Sequence, residues 1–270
     1  MRHTQRSWFV ARAAVVLLTA AGLSACDVMV NTVHGGRAQA EQTWARTYTL
    51  AGTDVAVEIV NTNGTINVEA VDGSSLEVKA VLTARGATEE DAKKTLAKVE
   101  MVEQADASRV RLQAKYPREL GRHGIEVTYT VRAPRSAKVT LENTNGHVKV
   151  NGVLAGLKAE TTNGSVHGEG LGNTVAATTT NGEIKIRMAS VGGDGVALET
   201  TNGGIDLKLP ADAKATLSAR CVNGGIKVAD LPFEKSGEGS RRKLDGAING
   251  GGAAVRLETV NGSIRVGGAT

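Results

Sequence analysis

Two cysteines, Cys26 and Cys221, are the residues of this sequence best suited to covalent chemistry. A thiolate is a nucleophile and a metal ligand, and its neighbours decide which role it takes. Other chemistry has little support, because acidic residues recur singly and evenly and do not form the paired carboxylates of a glycan-cleaving site. The histidines beyond the N-terminal segment show no metal-ligand spacing: His34, His123, His147 and His167. There is no Gly-x-Ser-x-Gly, Walker or zinc pattern, so the sequence predicts no enzyme, no catalytic residue, no cofactor and no metal site.

The surroundings of Cys26 indicate export and acylation. Three arginines and no acidic residue accompany an apolar run over residues 13–23, which is typical of a signal peptide and short for a membrane span. The segment Leu23-Ser24-Ala25-Cys26 resembles the bacterial lipobox. That resemblance implies a signal peptide over residues 1–25, cleavage before Cys26 and lipid attachment to its thiol. An ordinary signal peptide that happens to contain a cysteine is the alternative.

Lipid attachment predicts where the protein resides and how Cys221 behaves. Each buried acyl methylene contributes about 0.8 kcal/mol, so two or three chains would hold the protein to a membrane without a protein span. The expected location is the cell envelope, on the periplasmic side if the organism is Gram-negative. Cys221 would then have no disulfide partner in the chain, and we expect it to be a buried, small, apolar residue.

The charge balance argues against a nucleic-acid partner. The whole sequence has 32 basic and 28 acidic residues, and residues 1–25 hold three of the arginines and no acid, which leaves 29 against 28. The mature protein is therefore close to neutral and offers no broad basic surface for nucleic acid.

The mature chain divides into stretches of different pattern. Residues 26–43 show no hydrophobic period and predict a lipid anchor with a flexible tether. Residues 44–136 alternate apolar and polar positions and predict a β-rich unit. Inside that unit, Thr88 followed by acidic residues predicts one helix over about 88–104. Pro134 marks the expected boundary, and repeats fill residues 137–270.

An Asn-Gly cassette defines the repeats. Its asparagines, one of them in the first unit, are Asn63, Asn145, Asn163, Asn181, Asn202, Asn223 and Asn261. In the C-terminal series they lie 18, 18, 21, 21 and 38 residues apart. The last gap is either a doubled repeat or one repeat with an insertion at about 231–250, which includes the basic, Gly/Ser-rich residues 235–243. Such periods indicate elements stacked along one axis.

Residue types are almost constant at each cassette position. The residue four before the asparagine is always apolar, the residue three after it is always valine or isoleucine, and the residue two before it is asparagine, threonine or Cys221. Side chains alternate across a strand, so these three columns should all point inward on two strands that meet at Asn-Gly.

Two architectures fit this pattern. Asn-Gly is a strong hairpin signal, which would give an antiparallel meander. Alternatively, each period is one coil of a solenoid, and strands pair in parallel between coils. The constancy of the columns favours an all-β, single-stranded parallel β-helix, right-handed by default, preceded by the β-rich unit with its helix. In such a stack, like residues lie about 4.8 Å apart and can hydrogen-bond along the axis.

The cassettes and the helix-bearing unit before them resemble the bacterial putative adhesin family of exported or membrane-linked domains. Further likeness lies in Asp230-Leu231-Pro232-Phe233, in Ser240-Arg241-Arg242 and in residues 259–264. The resemblance covers roughly residues 44–268 and implies a single-stranded β-helix of unknown biochemical function. It supplies no catalytic or binding residues.

The outward columns suggest a function in interaction. Stacking would align the glutamates three before the asparagine, which are Glu142, Glu160, Glu199 and Glu258. It would also align, with His167, the basic residues four after it: Lys149, Lys185, Lys227 and Arg265. We interpret the protein as a non-enzymatic, adhesin-like scaffold whose basic stripe could face an anionic polymer or an envelope protein, although a purely solubilising surface would look the same. An envelope-stress sensor or regulator that binds a ligand near the membrane, with residues 235–243 as a contact loop, is the alternative, and a polysaccharide-active β-helix enzyme is a remote one.

Overall fold

The computed structural model describes residues 28–31, 38–52, 54–117, 120 and 124–269. The predicted signal peptide, the predicted acylation site Cys26, His34 and His123 lie outside these residues. Within the described part, the fold is all-β with one helix, α1 (Glu89–Leu96). No helix in this part has the length and apolarity that crossing a bilayer requires.

Two long sheets account for the described strands. The first sheet contains, in spatial order, β1 (Val28–Asn31), β2 (Ala38–Thr49), β5 (Ser75–Gly86), β8 (Glu126–Pro134), β4 (Ile66–Val71), β10 (Val148–Asn151), β12 (Val166–Leu171), β14 (Ile184–Met188), β16 (Ile205–Leu209), β22 (Ile264–Gly268) and β18 (Ile226–Ala229). The second contains β19 (Phe233–Lys235), β20 (Lys243–Ile248), β17 (Ala215–Asn223), β21 (Ala253–Asn261), β15 (Val196–Asn202), β13 (Val175–Asn181), β11 (Leu157–Asn163), β9 (Lys138–Asn145), β3 (Ala56–Asn63), β7 (Arg109–Lys115) and β6 (Glu100–Ala105).

Each Asn-Gly cassette joins a strand of the second sheet to a strand of the first. We call such a strand pair a coil. Neighbouring coils pair in parallel in both sheets, as β9 does with β11 and β10 with β12. Parallel pairing excludes the antiparallel meander for these repeats and agrees with the predicted stack, while the hand of the coil stays a prediction.

The order of the coils in space differs from their order in the sequence at both ends. Coils β9–β10 to β15–β16 stack in sequence order. The last coil of the chain, β21–β22, lies between β15–β16 and β17–β18. At the other end, β3–β4 lies between β9–β10 and the later strands β7 and β8. The 38-residue gap is thus the path that leaves the outermost coil, forms β19 and β20, and returns one layer inward.

The predicted interior columns are confirmed. Four residues before the asparagine, every side chain is at most 1% exposed: Ile59, Leu141, Ala159, Ala177, Leu198, Ala219 and Leu257. Three residues after it, Ile226 in the outermost coil is half-buried, and the other members are buried: Ile66, Val148, Val166, Ile184, Ile205 and Ile264. The core is therefore a narrow apolar slab between the sheets.

We call the Asn-Gly turn between the two strands of a coil the corner. Glycine is needed there because successive coils approach too closely for a side chain. A Cβ atom on Gly182 would overlap the carbonyl oxygen of Gly164, and one on Gly203 would overlap that of Gly182. A positive φ does not explain the glycine at every corner. Gly146 has a φ of 137°, but Gly182 is not among the residues with positive φ.

Side-chain amides connect the coils along the corner. Asn163 donates from Nδ2 to Oδ1 of Asn145 at 2.8 Å, and Asn261 donates in the same way to Asn202. Six such bonds of 2.7–2.8 Å join all seven cassette asparagines. The predicted hydrogen bonding along the axis is therefore present.

The inward polar column makes a different bond. Thr179 donates from Oγ1 to the carbonyl oxygen of Gly164 at 2.8 Å, and Thr200 donates to that of Gly182 at 3.0 Å. Asn143 donates from Nδ2 to the carbonyl oxygen of Gly64 at 2.8 Å. In five cassettes, the inward residue thus satisfies a corner glycine carbonyl of the neighbouring coil, as buried polar groups require.

Two predicted boundaries are wrong. The helix begins as expected, with Thr88 accepting from the Asp91 amide, but it ends at Leu96 and not near residue 104. Residues from Glu100 onward form β6 instead, because antiparallel pairing with β7 outweighs their helix propensity. The tether predicted to reach residue 43 contains the start of β2, which pairs with β5 from Ala38.

The expected boundary near Pro134 is not a break in the fold. Both sheets continue across it, since β3 pairs with β9 and β4 pairs with β10. The helix packs against β5 and β2 at the N-terminal end of the first sheet. The helix-bearing unit is therefore the first layers of the same stack.

Candidate functional site on the first sheet

From β10 to β18, the residues four after each cassette asparagine form a column of charged side chains on the outer face of the first sheet. We call it the central column. In stacking order its members are Lys149, His167, Lys185, Asp206, Arg265 and Lys227. Neighbours in the column are about 4.8 Å apart. The register thus brings the four predicted basic residues into one line, but Asp206 separates Lys149 and Lys185 from Arg265 and Lys227.

A second outward column, two residues further along each strand, adds cations that the sequence analysis missed. Arg187 of β14 and Lys208 of β16 are paired in register. Beside them stands Glu169 of β12, and Gly267 of β22 leaves room for the Lys208 side chain, which reaches across it. The available signal was the residue six after the asparagine, where arginine and lysine occur in adjacent coils.

One ion-pair cluster stands on this face. Lys185 Nζ lies 2.7 Å from Glu183 Oε1, and His167 Nε2 lies 3.2 Å from the same oxygen. The hydrogen bond from Lys185, followed by the contact with His167, holds the pKa of the Glu183 carboxyl below its usual range. This cluster fixes the position of His167, which is half-buried between its neighbours.

The remaining cations of the two columns from β10 to β18 have no carboxylate within 4.0 Å among the described residues. They are Lys149, Arg187, Lys208, Arg265 and Lys227. From β10 to β18, they make with Lys185 six cations in the two columns, against the carboxylates Glu169 and Asp206 and the nearby Glu183 that pairs with Lys185. This part of the face is therefore positive, and most of its cations are available to an external anion.

The outer face of the second sheet differs. The predicted acidic column is present, with Glu142 opposite Glu160 and Glu199 opposite Glu258. Thr178 separates the two pairs, and Lys158 Nζ lies 2.9 Å from Glu160 Oε1. From β9 to β17 in stacking order, adding the neighbouring outward column gives four glutamates against three cations: Lys158, Arg220 and Arg256. This face is nearly balanced, and it offers less selectivity for an anion.

A shallow depression lies on the first face where the two charged columns meet. Its volume is about 200 Å³, and its charged and polar walls are His167, Glu169, Lys185, Arg187, Asp206 and Lys208. A second depression continues from it toward Lys149 and shares His167 and Glu169 with it. Together they form an open path along the stack.

Cys221 lies inside the stack and not on this face. It is 5% exposed, as predicted, and its Sγ lies 3.9 Å from the carbonyl oxygen of Arg241. Residues 235–243 form an exposed connection, in which the Ser240 hydroxyl accepts from the amides of Arg242 and Lys243. Among the described residues, no group of three or more His, Cys, Asp or Glu side chains is arranged to hold a metal ion.

The fold and this surface define a class: a stacked β-repeat protein whose exposed charged face, and not an enclosed cleft, is the candidate binding feature. The chain belongs to the Toastrack DUF4097 family, which matches residues 126–267, just over half of the sequence. The family-level resemblance seen in the sequence is thereby confirmed.

Two crystal structures are similar to this chain. One is of a putative cell adhesion protein from Clostridium sporogenes, which is 10% identical, covers 84% of this chain and 100% of its own, and has a TM-score of 0.47. The other is of a putative adhesin from Bacteroides fragilis, which is 11% identical, covers 83% of this chain and 96% of its own, and has a TM-score of 0.39. No curated protein matches the sequence.

Proposed function

We propose that this protein is a non-enzymatic envelope lipoprotein, anchored through Cys26, whose β-helix is an adhesin-like interaction domain. Its coils follow the right-handed sense that parallel β connections prefer. The face that meets the partner is the outer face of the first sheet, and the partner is an anionic polymer of the envelope.

The uncompensated cations of that face carry the proposal. Exposed charges that already have partners contribute little to an additional contact. On the first sheet, Lys149, Arg265 and Lys227 have no carboxylate within 4.0 Å among the described residues. Their spacing of about 4.8 Å per coil lets one extended anionic chain contact several coils at once, so that weak contacts add along the stack.

Binding to the polymer can be tested with the purified mature chain and polygalacturonate as the anionic probe. We expect saturable binding that weakens as salt is raised, because exposed charges are screened within about 8 Å at physiological ionic strength. Changing Lys149, Lys185, Lys227 and Arg265 to glutamine should reduce the affinity by roughly a hundredfold, about 2.7 kcal/mol.

The second sheet supplies a matched control. Changing Lys138, Lys158, Arg220 and Arg256 to glutamine removes the same amount of charge from the opposite face. This variant should bind polygalacturonate within about threefold of the parent. Equal losses of affinity in the two variants would mean that net charge alone governs binding. That result would overturn the assignment of binding to the outer face of the first sheet.

The anchor requires a separate experiment. In cells that express the full chain, Cys26→Ser should move the protein from the membrane fraction to the soluble fraction and abolish incorporation of labelled fatty acid. Cys221→Ser, the control, should leave both unchanged because its thiol is buried. Membrane retention of the Cys26→Ser protein would contradict lipid anchoring.

A further inference from the structure

The depression on the first sheet coincides with an irregularity in the ladder. Between β12 and β14, Gly168 pairs with Ile186 and Leu171 pairs with Met188, so two residues of β12 oppose Arg187 alone. This is the only register shift among the pairings of the described strands. Such bulges redirect side chains and are over-represented next to functional sites. Here the bulge carries Glu169 at the edge of the depression.

The walls of the depression combine two kinds of polar group. Lys185, Arg187 and Lys208 offer positive charge, and Glu169 and Asp206 offer hydrogen-bond acceptors. A ligand built only of anionic groups would meet repulsion from both carboxylates. A neutral ligand would leave Arg187 and Lys208 without a counter-charge, whereas Lys185 is already paired with Glu183. Both groups are satisfied by a ligand that carries an anionic group and several hydroxyls, because hydroxyls donate to carboxylates.

The size and openness of the depression limit the ligand further. Its volume of about 200 Å³ lies below the roughly 300–1,000 Å³ of sites for drug-sized molecules. One sugar ring is of the right scale. The adjoining depression toward Lys149 and Asn151 shares two walls with the first, so a chain attached to that ring can continue along the stack.

We infer that the depression between β12, β14 and β16 is a binding subsite for one acidic sugar residue of a carbohydrate chain. The anionic group contacts Arg187 and Lys208, and the ring hydroxyls donate to Glu169 and Asp206. This assignment rests on the proposed function and names the chemistry of the polymer that the face binds.

Calorimetric titration of the mature chain can test the subsite with three short probes. They are oligogalacturonate, its methyl ester and oligoglutamate, which separate charge with hydroxyls, hydroxyls alone and charge alone. We expect one-to-one binding of oligogalacturonate and binding of the other two that is at least about tenfold weaker. Equal affinity for oligoglutamate would overturn the assignment to an acidic sugar.

Variants locate the site and separate it from the proposed function. Changing Arg187 and Lys208 to glutamine should weaken oligogalacturonate binding by roughly tenfold or more, while Arg220 and Arg256 to glutamine, on the second sheet, should leave it unchanged. Asp206→Asn should weaken oligogalacturonate binding but strengthen oligoglutamate binding, because it replaces one charged acceptor oxygen by an amide donor and removes a repulsive charge. An increase for both probes would show that Asp206 is only a repulsive charge and would overturn its role.

The long polymer distinguishes the two possible failures. If polygalacturonate binding depends on the four column cations but not on Arg187 and Lys208, the subsite is wrong and the proposed face stands. If neither the polymer nor the oligomer binds, both are wrong.

Discussion

The middle of the stack and its two ends use the same cassette with different chain orders. From β9 to β16, neighbours in sequence are neighbours in space. At the C-terminal end, coil β21–β22 lies between β15–β16 and β17–β18, and at the other end coil β3–β4 lies between β9–β10 and the later strands β7 and β8. The asparagine ladder nevertheless runs unbroken, because Asn261 donates to Asn202 and Asn223 donates to Asn261. A shared cassette therefore fixes the register between coils but leaves their order open.

Both ends of the second sheet also differ from the middle of the stack, because antiparallel strands close them. In the second sheet, β20 pairs antiparallel with β17, and β19 pairs antiparallel with β20. At the other end of that sheet, β6 pairs antiparallel with β7. A bare parallel edge would offer unpaired backbone groups to another chain, and repeat proteins generally require distinct capping elements. Out-of-order insertion places the capping strands outside while the last coil of the chain lies within the stack.

Removal of the inserted coil is the strongest way to break this comparison. Deleting residues 253–270 removes the buried side chains Val255, Leu257, Ile264 and Val266. Each contributes about 1.5–3 kcal/mol before its ordering cost, so we expect a net loss of roughly 4 kcal/mol in the free energy of unfolding, measured by urea denaturation. If the register is interchangeable, β17–β18 should then pair directly with β15–β16.

Engineered disulfides can detect that rearrangement. Thr201 and Val222 stand two coils apart in the full chain, roughly 9.6 Å at 4.8 Å per coil, which is too far for a disulfide. With Cys26→Ser and Cys221→Ser as background, Thr201→Cys with Val222→Cys should crosslink in the truncated protein and not in the full chain. Thr201→Cys with Val260→Cys should crosslink in the full chain. Crosslinking of the first pair in the full chain would contradict the inserted order.

A corner glycine in the middle of the stack should be the next most sensitive position. In Gly182→Ala, the new Cβ would overlap the carbonyl oxygen of Gly164, which is backbone and cannot move alone. Overpacking of this kind costs about 3 kcal/mol, visible as a lower urea midpoint. Gly225→Ala, one residue after the corner glycine Gly224 of the outermost coil, is the control, because its Cβ would meet no atom within 4 Å. Similar losses in both variants would mean that glycine's flexibility, and not close approach, governs the corner.

The sequence predicted the inside of the stack better than its order. Two-residue alternation and the constant columns identified the inward residues, the corner and the buried Cys221, because those properties are local. The order depends on which of several nearly identical edges a coil pairs with, and the cassettes hardly distinguish them. One signal existed: in sequence order Cys221 interrupts the threonines Thr200 and Thr259, whereas in stacking order the threonines are contiguous.

For a related reason, the sequence predicted only one of the two charged columns of the candidate site. The central column could be found because it lies at a fixed distance after Asn-Gly. The bulge at Glu169 and the cavity beside it depend on how β12 and β14 pair, which is a tertiary property. The helix and the tether were predicted too long for the same reason. Pairing of β6 with β7 and of β2 with β5 determined the structure of segments whose local sequence pattern was weak.

The inward threonines of the middle coils should each contribute a smaller, uniform amount to the free energy of unfolding. Thr179→Val keeps the shape of the side chain but removes the donor to the Gly164 carbonyl. A buried acceptor left without its donor costs about 1–3 kcal/mol, and we expect a loss near 1.5 kcal/mol in urea denaturation. Thr180→Val, one residue along the strand and exposed, should change stability by less than about 0.5 kcal/mol. Equal effects of the two changes would indicate a loss of strand propensity and not of a hydrogen bond.

The last difference between the middle and the N-terminal end lies in the same inward column, where Asn61 and Asn143 replace threonine. Asn143 donates to the Gly64 carbonyl of the neighbouring coil and Asn61 donates to the Val127 carbonyl of β8, but the Oδ1 of each is buried without a partner among the residues that the structure describes. A threonine at position 143 would keep the donor and remove the orphan acceptor. Asn143→Thr should therefore stabilise the protein by about 1 kcal/mol, measured as a higher urea midpoint with an unchanged slope. Asn145→Thr, two residues away, breaks the amide ladder and should destabilise it. If Asn143→Thr destabilises the protein instead, Oδ1 is satisfied by a buried water, and the N-terminal coils are hydrated inside where the middle coils are dry.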